Sequence, residues 1–200
     1  MKRLPREVLR WIDPALHDLF REALTTRDWR EAFCLTNSEN VISLCVDLVI
    51  AKLISEQDIP DALAEAISRG DMPHRERNML CALLGTLHRK KRRAFDGDTA
   101  RAAYDALPAH VTIYRGTTEA EGGEYGVCWT LDRERAEWFA KEHGRFRNFR
   151  SPPVVLSAVV QREDICGLLF ERQEQEVLIL PRGLRVSIHP MSTADDVTPA

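Results

Sequence analysis

The chain changes texture at Pro108, and that change limits the folds open to it. Before Pro108, apolar residues recur at helical spacing; after it, short β-like segments are separated by glycine and proline. Val8, Trp11, Ile12, Leu16, Leu19, Phe20 and Ala23 predict a helix over 8–24. Asp28 is placed to cap a short helix over 29–35, and Ser38 precedes another over 41–55. Pro60 suits the first turn leading a helix over 61–68. Residues 69–73 break the chain, and Met79, Leu80, Leu83, Leu84 and Leu87 define a helix over 74–88. A short helix over 99–107 follows the Asp96-Gly97-Asp98 turn. Beyond Pro108 the expected strands are 111–115, 126–130, 154–160, 174–180 and 184–188. One helix interrupts them over 132–143, capped by Asp132 and striped by Ala136, Phe139 and Ala140, with Trp138 and Phe139 read as core. These patterns predict an α+β protein: an N-terminal helical bundle over 1–107, a split mixed or antiparallel β-sheet domain over 108–191, and a fraying polar tail over 192–200.

Charge and cysteine usage narrow the function classes. Up to Asp105 the chain carries 17 basic and 17 acidic residues, and the remainder carries 11 against 14. Neither part is a basic nucleic-acid module, so a nucleic-acid partner is not favoured. The basic run at 89–93 is read as the solvated C-terminal end of a helix, where cations favour the macrodipole. The five cysteines (Cys34, Cys45, Cys81, Cys128, Cys166) are scattered and contain no C-x-x-C pair, which argues against a disulfide framework and against a zinc site. No metal is expected. The first ten residues hold too many charges for a secretory leader, and the longest apolar run, 46–54, is interrupted by Asp47 and Lys52. The expectation is a cytoplasmic protein with no membrane partner, delivery into another cell being compatible with it.

The chemistry concentrates in Glu174-Gln175-Glu176-Val177-Leu178. In a strand, Glu174 and Glu176 share one face, and Gln175 and Val177 share the other. Two adjacent acids at the mouth of an apolar run repel each other and resist desolvation, which opposes stability. A solvated strand end is the plain reading; a working carboxylate pair is the functional one. Two segments upstream bear on the choice. Ile113-Tyr114-Arg115-Gly116 is a strand ending in an arginine and a glycine, and Gly126-Val127-Cys128-Trp129-Thr130 is a strand leading to Asp132 and the following helix.

In this order, the three segments resemble the ADP-ribosyltransferase superfamily, in the branch with an Arg / Ser-Thr / Glu-x-Glu signature. The resemblance spans residues 114–183 and leaves the helical half uncovered. It implies a split β-sheet domain of the ADP-ribosyltransferase type, NAD as substrate, and mono-ADP-ribosyl transfer to a macromolecule with release of nicotinamide, as in a toxin, an effector or a cellular modifying enzyme. By the same resemblance Glu176 stabilises the oxocarbenium-like state at the nicotinamide ribose, and Glu174 orients or deprotonates the acceptor, a protein arginine. Arg115 clamps phosphate, Gly116 admits the backbone to the nicotinamide amide, and Thr130 supplies a hydroxyl beside Glu176. Arg147 and Phe149, in a segment where arginines alternate with phenylalanines, suit a ligand with both phosphates and rings. The family's middle motif usually opens with serine; here that position is Cys128. An NAD glycohydrolase, with water as acceptor, and a non-catalytic NAD-binding or protein-interaction module are the competing readings.

Overall fold

The computed structural model describes residues 4–70, 77–119, 123, 126–143, 151–170 and 175–191. The protein is α+β, with helix over about 50% of the described residues. It divides into two compact units, Met1–Asp98 and Thr99–Ala200.

In the first unit, α1 (Arg6–Leu9) and α2 (His17–Thr26) replace the single helix expected over 8–24. Pro14 is the reason. It disfavours helical geometry in the preceding residue, and Asp13 is extended at ψ 133°. The Asp13 carboxylate then accepts from Ala15 N at 2.8 Å and restarts the chain through a 3₁₀ turn. Asp28 caps α3 (Trp29–Cys34) as expected, accepting from Glu31 N at 2.8 Å. α4 (Val41–Ile50) is buried along most of its length and packs against α1, α5 (Ile59–Arg69) and α6 (Arg77–Arg89). It stops short of residue 55, and the chain turns at Lys52, whose φ is 56°. Asp47, which interrupts the apolar run of α4, has work in the fold: Oδ2 accepts from Trp11 Nε1 at 2.8 Å and from Arg10 Nη2 at 2.9 Å. Two donors on one partly buried carboxylate oxygen offset its desolvation and tie α4 to the start of the chain.

The basic run after α6 meets local partners. Lys90 Nζ lies 2.7 Å from Glu56, and Arg92 donates to the Glu56 main-chain oxygen. The ammonium holds the Glu56 carboxyl below its usual range. A two-residue strand, β1 (Ala94–Phe95), closes the unit. Within it, burial pushes the Cys45 thiol up to about 12. A thiol with a raised pKa stays neutral throughout the physiological range, and the neutral form is the unreactive one. Ellman's reagent at pH 8 is therefore expected to modify exposed Cys34 while leaving Cys45 intact until denaturant is added. Rapid modification of Cys45 in the native protein would contradict this burial.

The second unit carries all but the first residue of α7 (Asp98–Ala106) and, among the described residues, six antiparallel strands ordered β5-β6-β3-β2-β4-β7. These are β2 (His110–Thr118), β3 (Cys128–Thr130), β4 (Pro153–Gln161), β5 (Ile165–Leu169), β6 (Glu176–Ile179) and β7 (Val186–Pro190). Arg162, at the turn between β4 and β5, donates to the main-chain oxygens of Asp105 and Leu107, and Tyr104 donates to Arg162 O. Those bonds fasten the end of α7 to the β4–β5 turn. β5 was not among the expected strands. All five of its residues are buried, so it lacks the alternation of a half-exposed strand, and Gly167 sits at a register shift.

The helix expected over 132–143 forms as α8 (Arg133–Trp138) followed by a π-helical turn over Phe139–His143. Ala136 and Ala140 are buried, but Trp138 is 44% exposed and Phe139 is half-buried, so neither ring is core as expected. Position 138 lies about 200° around the helix from 136. The Trp138 and Phe139 rings instead meet edge-on at 5.1 Å, with the Arg135 guanidinium above both. No helix among the described residues is long and apolar enough to cross a membrane.

Candidate active site

Three segments far apart in the chain become neighbours because β6, β3 and β2 are consecutive strands of the sheet. β3 is only three residues long, and its pairing is explicit on both sides: Thr130 lies opposite Glu176 of β6 and opposite Tyr114 of β2. Residues directly opposite across antiparallel strands present side chains on the same face. Glu176, Thr130 and Tyr114 therefore form a transverse row on one face. Gly116 and Cys128 join that face by alternation along β2 and β3.

Glu176 is half-buried at the start of β6, followed by buried Val177, Leu178 and Ile179. Gln175 has φ 45°, a left-handed conformation that ends the extended backbone immediately before Glu176. The expected strand over 174–180 is thus shortened to Glu176–Ile179, and strand alternation does not carry back through Gln175 to place Glu174 on the same face. Glu174 itself lies outside the described residues, as do Arg147 and Phe149 of the 144–150 segment.

Thr130 is 5% exposed, and its Oγ1 accepts from Asp132 N at 3.1 Å. Asp132 in turn caps α8, accepting from Glu134 N at 2.8 Å and from Arg135 N at 3.3 Å. The hydroxyl beside Glu176 and the helix over the sheet are therefore set by one short turn. Asp132→Ala is expected to destabilise the protein by about 1 kcal/mol through loss of this cap. An unchanged urea midpoint would show that α8 is positioned by packing alone.

Arg115 follows Tyr114 and so leaves β2 from the opposite face. Its Nη1 donates to Cys128 O at 2.5 Å, and a Cβ on Gly126 would lie 2.4 Å from its guanidinium carbon. The guanidinium thus rests on Gly126 and holds the start of β3. Its Nε is buried and has no hydrogen-bond partner among the described residues, and neither does the buried hydroxyl of Thr118. These two orphaned groups stand on either side of Gly116 along β2.

Gly116 has a packing requirement of its own. A Cβ there would lie 1.9 Å from Ala136 O and 2.6 Å from Ala140 N, so only glycine lets α8 approach the sheet this closely. Gly116→Ala is expected to cost at least about 1–3 kcal/mol, as overpacking against backbone does. A melting temperature equal to that of the unsubstituted protein would refute the close approach. Cys128, at the position where serine was expected, is half-buried and pairs with Leu178 of β6.

The row extends beyond the residues singled out in the sequence. Tyr114 lies opposite Ser157 of β4, and Ser157 lies opposite Ser187 of β7. Ser157 Oγ is 2.8 Å from His189 Nε2. The available signal was a lone hydroxyl inside the apolar run Val154-Val155-Leu156-Ser157-Ala158-Val159-Val160. No cluster of metal-ligating side chains occurs among the described residues. No protein-family model, curated protein or solved structure matches the chain.

Proposed function

We propose that the second unit is an ADP-ribosyltransferase-type sheet that cleaves NAD at the nicotinamide–ribose bond and transfers ADP-ribose to a protein arginine. The observation that carries this reading is the register: Tyr114 of β2, Thr130 of β3 and Glu176 of β6 stand opposite one another on adjacent strands, bringing the three sequence segments together in the sheet. The orphaned hydroxyl of Thr118, on the same face of β2 as Tyr114, further supports a polar ligand there, since buried polar groups are seldom left without a partner.

In this reading the bond from the nicotinamide nitrogen to ribose C1′ breaks, and its electron pair leaves with nicotinamide. The Glu176 carboxylate, half-buried on a rigid strand, stabilises the positive charge that grows on the ribose. Thr130 holds that region by fixing the turn into α8. A guanidinium nitrogen of the acceptor then bonds C1′ and gives up a proton, for which Glu174 is the proposed acceptor. Arg115, on the opposite face of β2, serves in this reading through its Nη1 bond to Cys128 O, which holds the strand that carries Thr130.

Glu176→Gln keeps the side chain's size and removes its charge. With labelled NAD and a cell lysate, the unsubstituted protein is expected to label macromolecules, and the variant to lose about 10²-fold or more in rate. Label transfer at the unsubstituted rate by Glu176→Gln would refute the assignment. Nicotinamide release without macromolecular labelling would make water the acceptor and the protein a glycohydrolase.

A further inference from the structure

Ser157 and His189 take no part in the reaction just described. We propose that they form a separate reactive centre, with Ser157 as nucleophile and His189 as its base, that takes the acyl group of an uncharged ester. Ser157 lies opposite Ser187, and Val155 lies opposite His189, so His189 is the diagonal neighbour of Ser157 across the β4–β7 pair. All four side chains stand on one face of the sheet. The diagonal is within reach of a long side chain, and Ser157 Oγ is 2.8 Å from His189 Nε2. At that spacing an imidazole can take a hydroxyl proton as the oxygen attacks. With its own proton on Nδ1, the neutral ring presents Nε2 as the acceptor.

The pair stands where the sheet leaves the cover of α8. Val155 is buried with Ala136 and Ala140, whereas Val159, two residues beyond Ser157, is 65% exposed. Thr112 and Ser187 are exposed as well, and Ser157 and His189 are half-buried between these limits. A ligand can therefore reach the hydroxyl, while partial burial shields the hydrogen bond from water and strengthens it. The positions flanking Ser157 on this face (Thr112, Tyr114, Val155, Val159 and Ser187) carry no charge, which favours an uncharged substrate. Exposed Val159 offers apolar surface to the acyl chain, and the Ser187 hydroxyl, directly opposite, is placed to donate to the carbonyl oxygen.

In the first step the Ser157 oxygen bonds the carbonyl carbon and its proton passes to His189 Nε2. The bond from that carbon to the alcohol oxygen breaks, and the alcohol leaves with the proton from the imidazolium. Water then bonds the acyl carbon, giving its proton to Nε2. The carboxylic acid departs, and Ser157 recovers the proton. No carboxylate stands among the flanking positions to support the imidazolium, so the pair is expected to work more slowly than a Ser-His-Asp triad.

A fluorophosphonate probe, which bonds a reactive serine oxygen at phosphorus and loses fluoride, tests this on the full chain by intact mass and peptide mapping. The unsubstituted protein is expected to gain one phosphonyl group, at Ser157, with exposed Ser187 on the same face left unlabelled as an internal control. Ser157→Ala is expected to abolish labelling, and His189→Gln to slow it by about 10²-fold or more, the loss of a general base. Circular dichroism establishes that each variant is folded; the mapped label and Ser157→Ala, which removes a single atom, carry the test if the histidine variant is not. Absence of labelling, equal labelling of Ser187, or labelling of Ser157 at an unchanged rate in folded His189→Gln would overturn the proposal. None of these outcomes bears on the reaction at Glu176, which is read with NAD alone.

Discussion

Everything at the candidate site depends on the register of a three-residue strand. β3 has one paired position on β2 and three on β6, and a slip of one residue would turn Thr130 away from Glu176 and Tyr114. Two features pin it. On the β6 side, Ile179 N donates to Val127 O and Leu131 N to Gln175 O, extending the pairing past both ends of the strand. On the β2 side, backbone pairing gives way after Tyr114, and the Arg115 guanidinium takes Cys128 O instead. An arginine side chain thus performs what a ladder hydrogen bond does elsewhere, and the glycine at 126 makes room for it.

A second constraint follows from the first. Only two residues separate β3 from α8, so the strand's register also sets where the helix lands. Thr130 and Asp132 convert extended backbone into helix within a single turn, and Gly116 admits the helix to near contact with β2. Ala136 and Ala140 are small for the same reason: a larger side chain at either would lift α8 from Val155 and Tyr114. The π-helical turn over Phe139–His143 then diverts the chain at the end of this contact. Such turns are commonly found beside functional sites.

Local chemistry was the legible part of this sequence. Asp28 and Asp132 announced their helices because a carboxylate just before an apolar stripe has few other uses. Five of the six strands of the second unit were visible from β-branched residues between glycine and proline. β5 was not, because a strand buried on both faces has no alternation, and Gly167 weakened its propensity further. Pro14 splitting the first helix was open to inspection and outweighs the apolar spacing around it. At the site, Glu176 and Thr130 could be singled out, but their being opposite each other is a property of pairing that no local pattern encodes. Gln175 shows the converse. Its left-handed φ breaks the alternation that Glu174-Gln175-Glu176 suggests on paper. Ser157 and its partner His189 escaped notice because each is ordinary in its own strand, and only the order β2-β4-β7 brings Ser157 opposite Tyr114 and within reach of His189.

The central claim is that the segments joined by β2, β3 and β6 bind NAD. The most direct measurement is a titration of isotopically labelled protein with NAD, followed by the amide resonances in the NMR spectrum. The account predicts saturable shifts concentrated at Tyr114–Gly116, Cys128–Thr130 and Gln175–Val177, the segments joined by the β2-β3-β6 pairing. Absence of saturable shifts, or shifts confined to the helical unit Met1–Asp98, would contradict it.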